Sequence, residues 1–305
     1  MLVENYKTGG LDKYGLGYEQ LKKEFPRLIY CSLTGFGHYG PYKQRPGYDF
    51  MIQAMGGIMS LTGEPDGAPY KMAVAYTDVL TGMYAMSGIL AALYNREKTG
   101  RGQFIDIALL DSQVAALWNM GQNYLTSGLA PKRMGNAHAS IVPYEAFQAA
   151  DGWLVLAVGN DRQFQDFCTF AGCSDLAHDA RYTHNADRVR HRDTLVPAVR
   201  DIIAQHSVDH WVSGLERLNV PCGRVNTLPE VFADPQTIAR GAVVEMNHHL
   251  SPAPVRLLAN PLKFSDTPVT YRHAPPTLGE HTDEVLDHFG IDAPTRAALR
   301  DKGVI

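Results

Sequence analysis

The chain has 305 residues, a length that predicts about two domains and a substantial hydrophobic core. Apolar residues make up 45% of it and charged residues 20%, which excludes an intrinsically disordered chain or a coiled coil. The formal net charge is −4 and Lys and Arg are not clustered, which excludes a protein that binds the phosphate backbone of nucleic acids.

Helices and strands alternate in the first part of the chain, as in an α/β fold. Apolar residues at helical spacing predict helices at residues 16–25, 48–60, 78–98 and 111–125. Short β-rich runs predict strands at residues 28–33 and 103–110. A glycine-rich loop, residues 34–41, follows the first of these strands.

The pattern changes after Ser127 to a mixture of hairpins and helices. Strands are predicted at residues 144–148, 153–158, 221–226 and 242–247, the first two forming a hairpin. Helices are predicted at residues 161–171, 186–205, 208–218, 228–233, 282–289 and 294–302. We therefore predict a partial large α/β domain (1–127), a small α+β domain (135–247), and a linker with C-terminal helices (248–305) that returns to the large domain.

Four cysteines show no metal or disulfide spacing, which is typical of a reducing compartment. The longest apolar stretch, residues 79–94, is interrupted by small and polar residues, and the N-terminus has no signal-peptide core. We therefore expect a cytoplasmic protein that binds neither a membrane nor nucleic acid.

One short motif matches a cofactor-binding pattern but lacks its structural context. Gly35-x-Gly37-x-x-Gly40 has the dinucleotide-binding spacing, yet Pro41 and a polar segment follow it instead of a helix whose N-terminus could receive a pyrophosphate. We interpret this motif as a loop.

Two histidine pairs have spacings that invite a metal interpretation. His206 and His210 are four residues apart, but Ser207 is predicted to cap a helix between them and no third ligand is near in sequence. His248 and His249 are predicted to be strand neighbours that point to opposite faces. We expect no metal site at either pair.

Asp78 is the residue most informative about function. It lies between an apolar run, residues 72–76, and a long predicted helix, which indicates a strand-to-helix turn. At a helix N-terminus, Asp is most often a cap. The same position keeps a carboxylate ionised beside free N–H groups, where it can attack an activated acyl group and those donors can stabilise an oxyanion. The residues alone leave both roles open.

Tyr48 and Asp49 follow a predicted turn, Arg45-Pro46-Gly47, that could present both side chains beside Asp78. Alternatively, Asp49 caps the next helix and Tyr48 packs on its first turn. These two interpretations have equal support.

A series of motifs resembles the class III CoA-transferases, the CaiB/BaiF family, over essentially the whole chain. In chain order they are Val3-Glu4-Asn5-Tyr6, Gly35-Phe36-Gly37-x-x-Gly40-Pro41, Arg45-Pro46-Gly47-Tyr48-Asp49, Asp78-x-x-Thr81-Gly82, Lys98-Thr99-Gly100-Arg101-Gly102-Gln103, Asp151-Gly152-Trp153, Asp234-Pro235-Gln236 and Pro275-x-x-Leu278-Gly279-Glu280-His281-Thr282. The resemblance implies an α/β fold, with a Rossmann-like large domain and a smaller α+β domain, in an interlocked homodimer. It also implies that the first βα unit of the family is missing here.

The resemblance further implies the chemistry. Asp78 would attack an acyl-CoA thioester, form an aspartyl anhydride and then an aspartyl-CoA thioester, and pass CoA to a small free carboxylic acid. Coenzyme A is then a substrate, and neither a cofactor nor a metal is expected. Small dicarboxylic acids such as succinate or glutarate, with succinyl-CoA as donor, are the family-based guess, and nothing in the sequence fixes the choice. The substrate and CoA contacts implied by the family motifs are Asn5, Tyr6, Lys7, Lys13, Tyr14 and Leu109, with Tyr48 and Asp49 lining the acyl pocket.

Two alternatives remain beside CoA transfer. Alpha-methylacyl-CoA racemases share the fold but pair an Asp with a His, where this chain has Tyr48, whose high reference pKa makes it a poor base. An inactive fragment that keeps some CoA contacts is the other alternative. Because a sheet without its first strands has exposed edges, we expect this chain alone to be less stable and poorly active.

Overall fold

The computed structural model describes all residues, 1–305. Its chain divides into two compact units, Met1–Arg224 and Val225–Ile305. No helix combines the length and the apolar character that a bilayer crossing requires. The division of the chain at residues 1–127, 135–247 and 248–305 stays a prediction.

The first unit begins with a three-stranded parallel sheet in the order β1-β2-β3. Its strands are β1 (Leu2–Glu4), β2 (Tyr30–Thr34) and β3 (Phe104–Ala108), with helices α1 (Tyr18–Glu24), α2 (Asp49–Met55), α3 (Tyr76–Thr99), α4 (Leu109–Ala115) and α5 (Trp118–Ser127). Parallel neighbours need a crossover, which α1 supplies before β2 and α2 with α3 supply before β3. The carboxyl ends of all three strands therefore lie at one edge of the sheet.

Two predicted helices of this region are shorter in the structure. The helix expected at residues 48–60 ends at Gly56, and the left-handed backbone of Gly57 (φ 91°) separates it from a 3₁₀ turn. The helix expected at residues 111–125 is two helices, α4 and α5, because Trp118 has a positive φ of 42° at their junction. The Gly56-Gly57 pair marks a weak point of the predicted helix in the sequence, whereas nothing in residues 111–125 indicates the second break.

The rest of the first unit is an antiparallel sheet packed with helices. It contains β4 (Tyr144–Gln148), β5 (Trp153–Ala157) and β6 (Cys222–Arg224), with α6 (Asp161–Phe170), α7 (Ser174–His178), α8 (Asn185–Arg190), α9 (Arg192–Ile203) and α10 (Val208–Glu216). The predicted hairpin is confirmed, and β6 pairs with β5. Phe147 and Trp211 are buried in the core, whereas Trp153 is half exposed, because alternate residues of β5 face solvent.

The second unit combines short helices with one hairpin. Its elements are α11 (Leu228–Ala233), α12 (Pro235–Ala239), β7 (Val243–Met246), β8 (Val255–Leu258), α13 (Thr282–His288) and α14 (Ala293–Asp301). Strand β8 pairs antiparallel with β7 and was not predicted, since prolines surround it in sequence. His248 and His249 lie beyond β7, and their rings stack with centroids 4.8 Å apart. The expectation that they point to opposite faces was therefore wrong.

Candidate functional site

A cleft of about 630 Å³ opens at the carboxyl edge of the parallel sheet. Its walls come from the residues after β1, the end of β2, the loop before α2, and the starts of α3 and α4. In open α/β sheets this edge is the usual place for ligands. The cleft is therefore the natural candidate site of the first unit.

Most of the residues proposed from the sequence meet in this cleft. Those that line it are Asn5, Tyr6, Lys7, Tyr48, Asp78 and Leu109. Leu109 does so as the first residue of α4, whereas the sequence pattern put it at the end of a strand. Lys13 and Tyr14 do not line the cleft: they lie in a 3₁₀ turn, where the Lys13 ammonium is 4.7 Å from the Tyr14 ring centroid.

Asp78 lies inside the first turn of α3, not at its cap. The helix begins two residues earlier, at Tyr76, and no strand forms at residues 72–76. The predicted strand-to-helix turn was therefore wrong both about the strand and about where the helix begins. The side chain is exposed and faces the cleft. Since Asp78 does not cap the helix, its carboxylate is not held by the backbone N–H groups of that first turn.

Asp49 caps α3 from outside that helix. Its Oδ1 accepts the backbone N–H of Thr77 at 2.8 Å and that of Asp78 at 3.3 Å. Its Oδ2 accepts a hydrogen bond of 2.7 Å from Gln53 Nε2. Asp49 is thus the first residue of α2, and its side chain also holds the start of α3. It is not among the residues that line the cleft, so the structure does not place it in the acyl pocket that the family resemblance implies.

The electrostatics of Asp78 differ from those expected of a carboxylate at a helix N-terminus. Partial burial, and then the charge of Asp49, raise the pKa of Asp78 above its usual value. The expectation that the helix end would simply keep this group ionised was incomplete, because the positive end of α3 is already occupied by Asp49. A more basic carboxylate is a better nucleophile toward an acyl group.

The loop that follows β2 forms one wall of the cleft. A Cβ added to Gly35 would lie 2.5 Å from the Cα of Gly47, so the two ends of the loop touch through their backbones. No helix follows the glycine motif until Asp49, as its interpretation as a loop requires. His38 also ties the loop to the sheet, with Nε2 2.7 Å from Ser32 Oγ and its backbone N–H donating to Asp106 Oδ2.

Three cations line the same cleft as Asp78: Lys7, Lys43 and Arg45. None of them has a carboxylate within ion-pair distance in the chain. The Arg45 guanidinium lies over the Tyr42 ring, 3.9 Å from its centroid. The charges of Lys43 and Arg45 do not stand out in the sequence, because single cations in a loop are common and only the fold brings these together. The cleft can thus receive an anionic ligand.

The two histidine pairs have different surroundings in the structure. Ser207 does cap α10 by accepting the His210 N–H, and the rings of His206 and His210 stack at 4.2 Å. His248, His249 and Glu280 bring potential ligand atoms within 4.8 Å of one another. However, both ring nitrogens of His248 are already hydrogen-bonded to backbone groups.

The fold and the cleft together define an α/β protein in which one exposed carboxylate, Asp78, and three cations line a cleft at the carboxyl edge of the sheet. The chain belongs to CoA-transferase family III, whose family profile matches residues 1–282.

Individual relatives agree with this membership. The chain is 46% identical to a succinate–glutarate CoA-transferase of Agrobacterium fabrum over 94% of its own length and 71% of that protein. It is 41% identical to a succinyl-CoA:glutarate CoA-transferase of Mus musculus over 94% of its own length and 65% of that protein. Among solved structures, a CaiB/BaiF family protein from Brucella suis matches with a TM-score of 0.82 and 46% identity, covering 95% of this chain and 75% of that one. The chain thus spans about two thirds of the length of these curated relatives.

Proposed function

We propose that this chain transfers coenzyme A between an acyl-CoA and a free carboxylic acid, with Asp78 as the nucleophile. The single observation that carries the proposal is the Asp78 carboxylate, exposed in a cleft at the carboxyl edge of the sheet and made more basic by its surroundings. Membership of the CoA-transferase family and the names of the relatives support the same reaction.

The proposed reaction needs no external proton donor or acceptor. A carboxylate oxygen of Asp78 attacks the thioester carbonyl, the C–S bond breaks, and an aspartyl anhydride and CoA thiolate form. The thiolate attacks the Asp78 carbonyl, which gives an aspartyl-CoA thioester and releases the donor acid. The acceptor carboxylate attacks that thioester, which expels CoA thiolate and forms an anhydride between Asp78 and the acceptor. The thiolate then attacks the acceptor carbonyl of this anhydride, which gives the new acyl-CoA and regenerates the Asp78 carboxylate. One thioester replaces another, so the overall free-energy change is small and positioning dominates the rate.

The roles of the other residues follow from where they stand. Lys7 is the proposed partner of a CoA phosphate, with Asn5 and Tyr6 beside it where β1 ends. Tyr48 borders the proposed acyl group from the loop between β2 and α2, and Leu109 offers apolar surface to the pantetheine arm. Lys13 and Tyr14, in the turn that follows, are proposed contacts for the more distant part of CoA. Coenzyme A is a substrate in this scheme, and no cofactor is invoked.

The relatives suggest which acids to try first, with succinyl-CoA as donor and small dicarboxylic acids as acceptors. The test is isotope exchange: the chain is incubated with succinyl-CoA and ¹³C-labelled glutarate, and labelled glutaryl-CoA is measured by mass spectrometry. Label in the thioester supports the proposal. If label stays in the free acid for every acid tried, while solvent deuterium enters the α-carbon of an acyl-CoA, the proposal of CoA transfer is wrong and the chain is a racemase.

Asp49→Asn is expected to move the acid limb of the pH–rate profile to lower pH. Asn keeps the shape and one acceptor oxygen for the N–H groups of Thr77 and Asp78 but removes the negative charge that helps raise the pKa of Asp78. Activity requires ionised Asp78 and falls as pH drops through that pKa, so lowering the pKa extends activity into acid. The measurement is kcat/KM for exchange against pH.

The matched control for this variant is Asp66→Asn, an exposed carboxylate in a turn that does not line the cleft. Its acid limb should coincide with that of the unaltered chain. An unmoved limb in Asp49→Asn would show that Asp49 does not influence the charge of the nucleophile.

We also propose that the chain forms a homodimer, in the interlocked arrangement that the family resemblance implies. Support comes from α3, which presents apolar side chains to solvent at helical spacing: Val79, Met83, Met86, Leu90 and Tyr94. An apolar stripe of this length is typical of an interface. Light scattering should give twice the chain mass, and Leu90→Glu should shift the protein toward monomer. A monomeric mass for the unaltered chain would contradict the proposal.

A further inference from the structure

We infer that Arg45, assisted by Lys43, selects acyl groups that carry a second carboxylate, so that the acids handled at Asp78 are dicarboxylic. This inference rests on the proposed function. It concerns which acid the cleft accepts, and it assigns that choice to the loop between β2 and α2.

The first support is charge. Lys7, Lys43 and Arg45 line the cleft without an ion-pair partner, while Asp78 is the carboxylate among them. An acyl group joined to Asp78 as an anhydride removes that negative charge and leaves the three cations facing the ligand. A carboxylate at the far end of the acyl group would supply the missing counter-charge. A plain alkyl chain would leave Arg45 and Lys43 facing apolar atoms.

The second support is the way Arg45 is held. Phe36 packs edge-on against Tyr42, with ring centroids 5.6 Å apart. The Arg45 guanidinium lies over the Tyr42 ring, 3.9 Å from its centroid. This aromatic contact restrains the guanidinium without using its N–H groups. A restrained planar fork is suited to a carboxylate, which it can bind through two parallel hydrogen bonds. An unrestrained surface arginine would lose more entropy on binding the same group.

The third support is position. The backbone contact between Gly35 and Gly47 pins the loop at the end of β2, and Arg45 and Tyr48 lie on either side of that contact in sequence. Lys7 belongs to a different wall, the segment that follows β1. The three cations therefore divide into one, Lys7, which is the proposed CoA phosphate contact, and a pair, Lys43 and Arg45, on the loop that also carries Tyr48. The loop pair is the one available to the acyl group.

The test compares two self-exchange reactions that differ only in the second carboxylate. Labelled glutarate is exchanged with glutaryl-CoA, and labelled valerate, which has the same five-carbon chain, is exchanged with valeryl-CoA. The quantity measured is the ratio of kcat/KM for glutarate to that for valerate. In Arg45→Met this ratio should fall on the order of 10- to 100-fold, with a smaller fall in Arg45→Lys, which keeps charge but lacks the fork.

The matched control is Arg217→Met, an exposed arginine just beyond α10 that does not line the cleft, and its ratio should equal that of the unaltered chain. Thermal melting confirms that each variant is folded. If Arg45→Met slows both exchanges equally, Arg45 acts on CoA or on the loop, and the inference is overturned. It is equally overturned if neither exchange changes. If the unaltered chain exchanges neither acid, the proposed function itself is contradicted, and not only the role of Arg45.

Discussion

Asp78→Asn is expected to abolish CoA exchange, with a fall in rate of about 10³-fold or more. An amide cannot attack the thioester to form the anhydride, so every later step of the proposed reaction is lost. The fold should tolerate the change, because Asp78 is exposed and the first turn of α3 is anchored by Asp49. Isotope exchange into the thioester measures the loss.

Asp78→Asn is expected to be at least as stable as the unaltered chain. The pKa of Asp78 is raised in the folded chain, so its ionised form disfavours folding at pH values above that pKa. Replacing it with a neutral amide should leave the melting temperature at pH 7 unchanged or slightly higher. A melting temperature several degrees lower would indicate a structural role and weaken any kinetic conclusion.

Asp111→Asn supplies the matched control. Asp111 is also an exposed carboxylate in the first turn of a helix, α4, which begins at the same edge of the sheet, but it does not line the cleft. Its exchange rate should equal that of the unaltered chain. If Asp78→Asn keeps more than a few per cent of the activity, the nucleophile has been wrongly assigned.

The general architecture was predictable because it depends on local pattern. Short apolar runs such as β2, and helical spacing before a glycine such as the end of α3 at Gly100, depend on few neighbours. The hairpin of β4 and β5 was predictable for the same reason, since its turn residues lie between two alternating runs. The family motifs then selected Asp78 from several carboxylates that local pattern alone could not rank.

The details of the site were not predictable, because they depend on contacts between residues distant in sequence. Asp49 and Thr77 are 28 residues apart, and nothing in either segment indicates that one caps the helix of the other. The interpretation of Asp78 as the cap of α3 was wrong for this reason, because a sequence pattern can indicate only a cap that is local to the helix. The same limit applies to Arg45, whose unpaired charge has meaning only once Asp78 shares its cleft.

Arg188→Met is expected to cost the protein about 2–4 kcal/mol of unfolding free energy, because it leaves two carbonyl groups without their donors, and an unsatisfied buried polar group costs about 1–3 kcal/mol. Arg188 is fully buried in α8. Its Nε donates to the Val142 carbonyl at 2.7 Å, Nη1 donates to the Tyr182 carbonyl at 3.0 Å, and Nη2 lies 2.9 Å from Asp161 Oδ1. Methionine fills much of the space but leaves the carbonyls without these donors. Urea denaturation measures the loss.

The control for this variant is on the same helix. Arg190 lies two residues further along, is exposed, and pairs with Asp187 at i,i+3, so Arg190→Met should cost no more than about 0.5 kcal/mol. If the two variants are equally stable, the buried guanidinium is not a structural anchor of the small helices around it.

The stability lost in Arg188→Met should depend on pH, because one partner of Arg188 is the titratable carboxylate of Asp161. Partial burial works to raise the pKa of Asp161, but hydrogen bonds from His184 and Arg188 outweigh it and hold that pKa below its usual value. The contribution of the ion pair is therefore fully present above the pKa of an unfolded Asp, about 3.9, and is lost as pH falls further. The stability difference between the unaltered chain and Arg188→Met should accordingly narrow below about pH 4. A difference that stays constant into that range would mean that the carbonyl contacts, and not the charge of Asp161, account for the stabilisation.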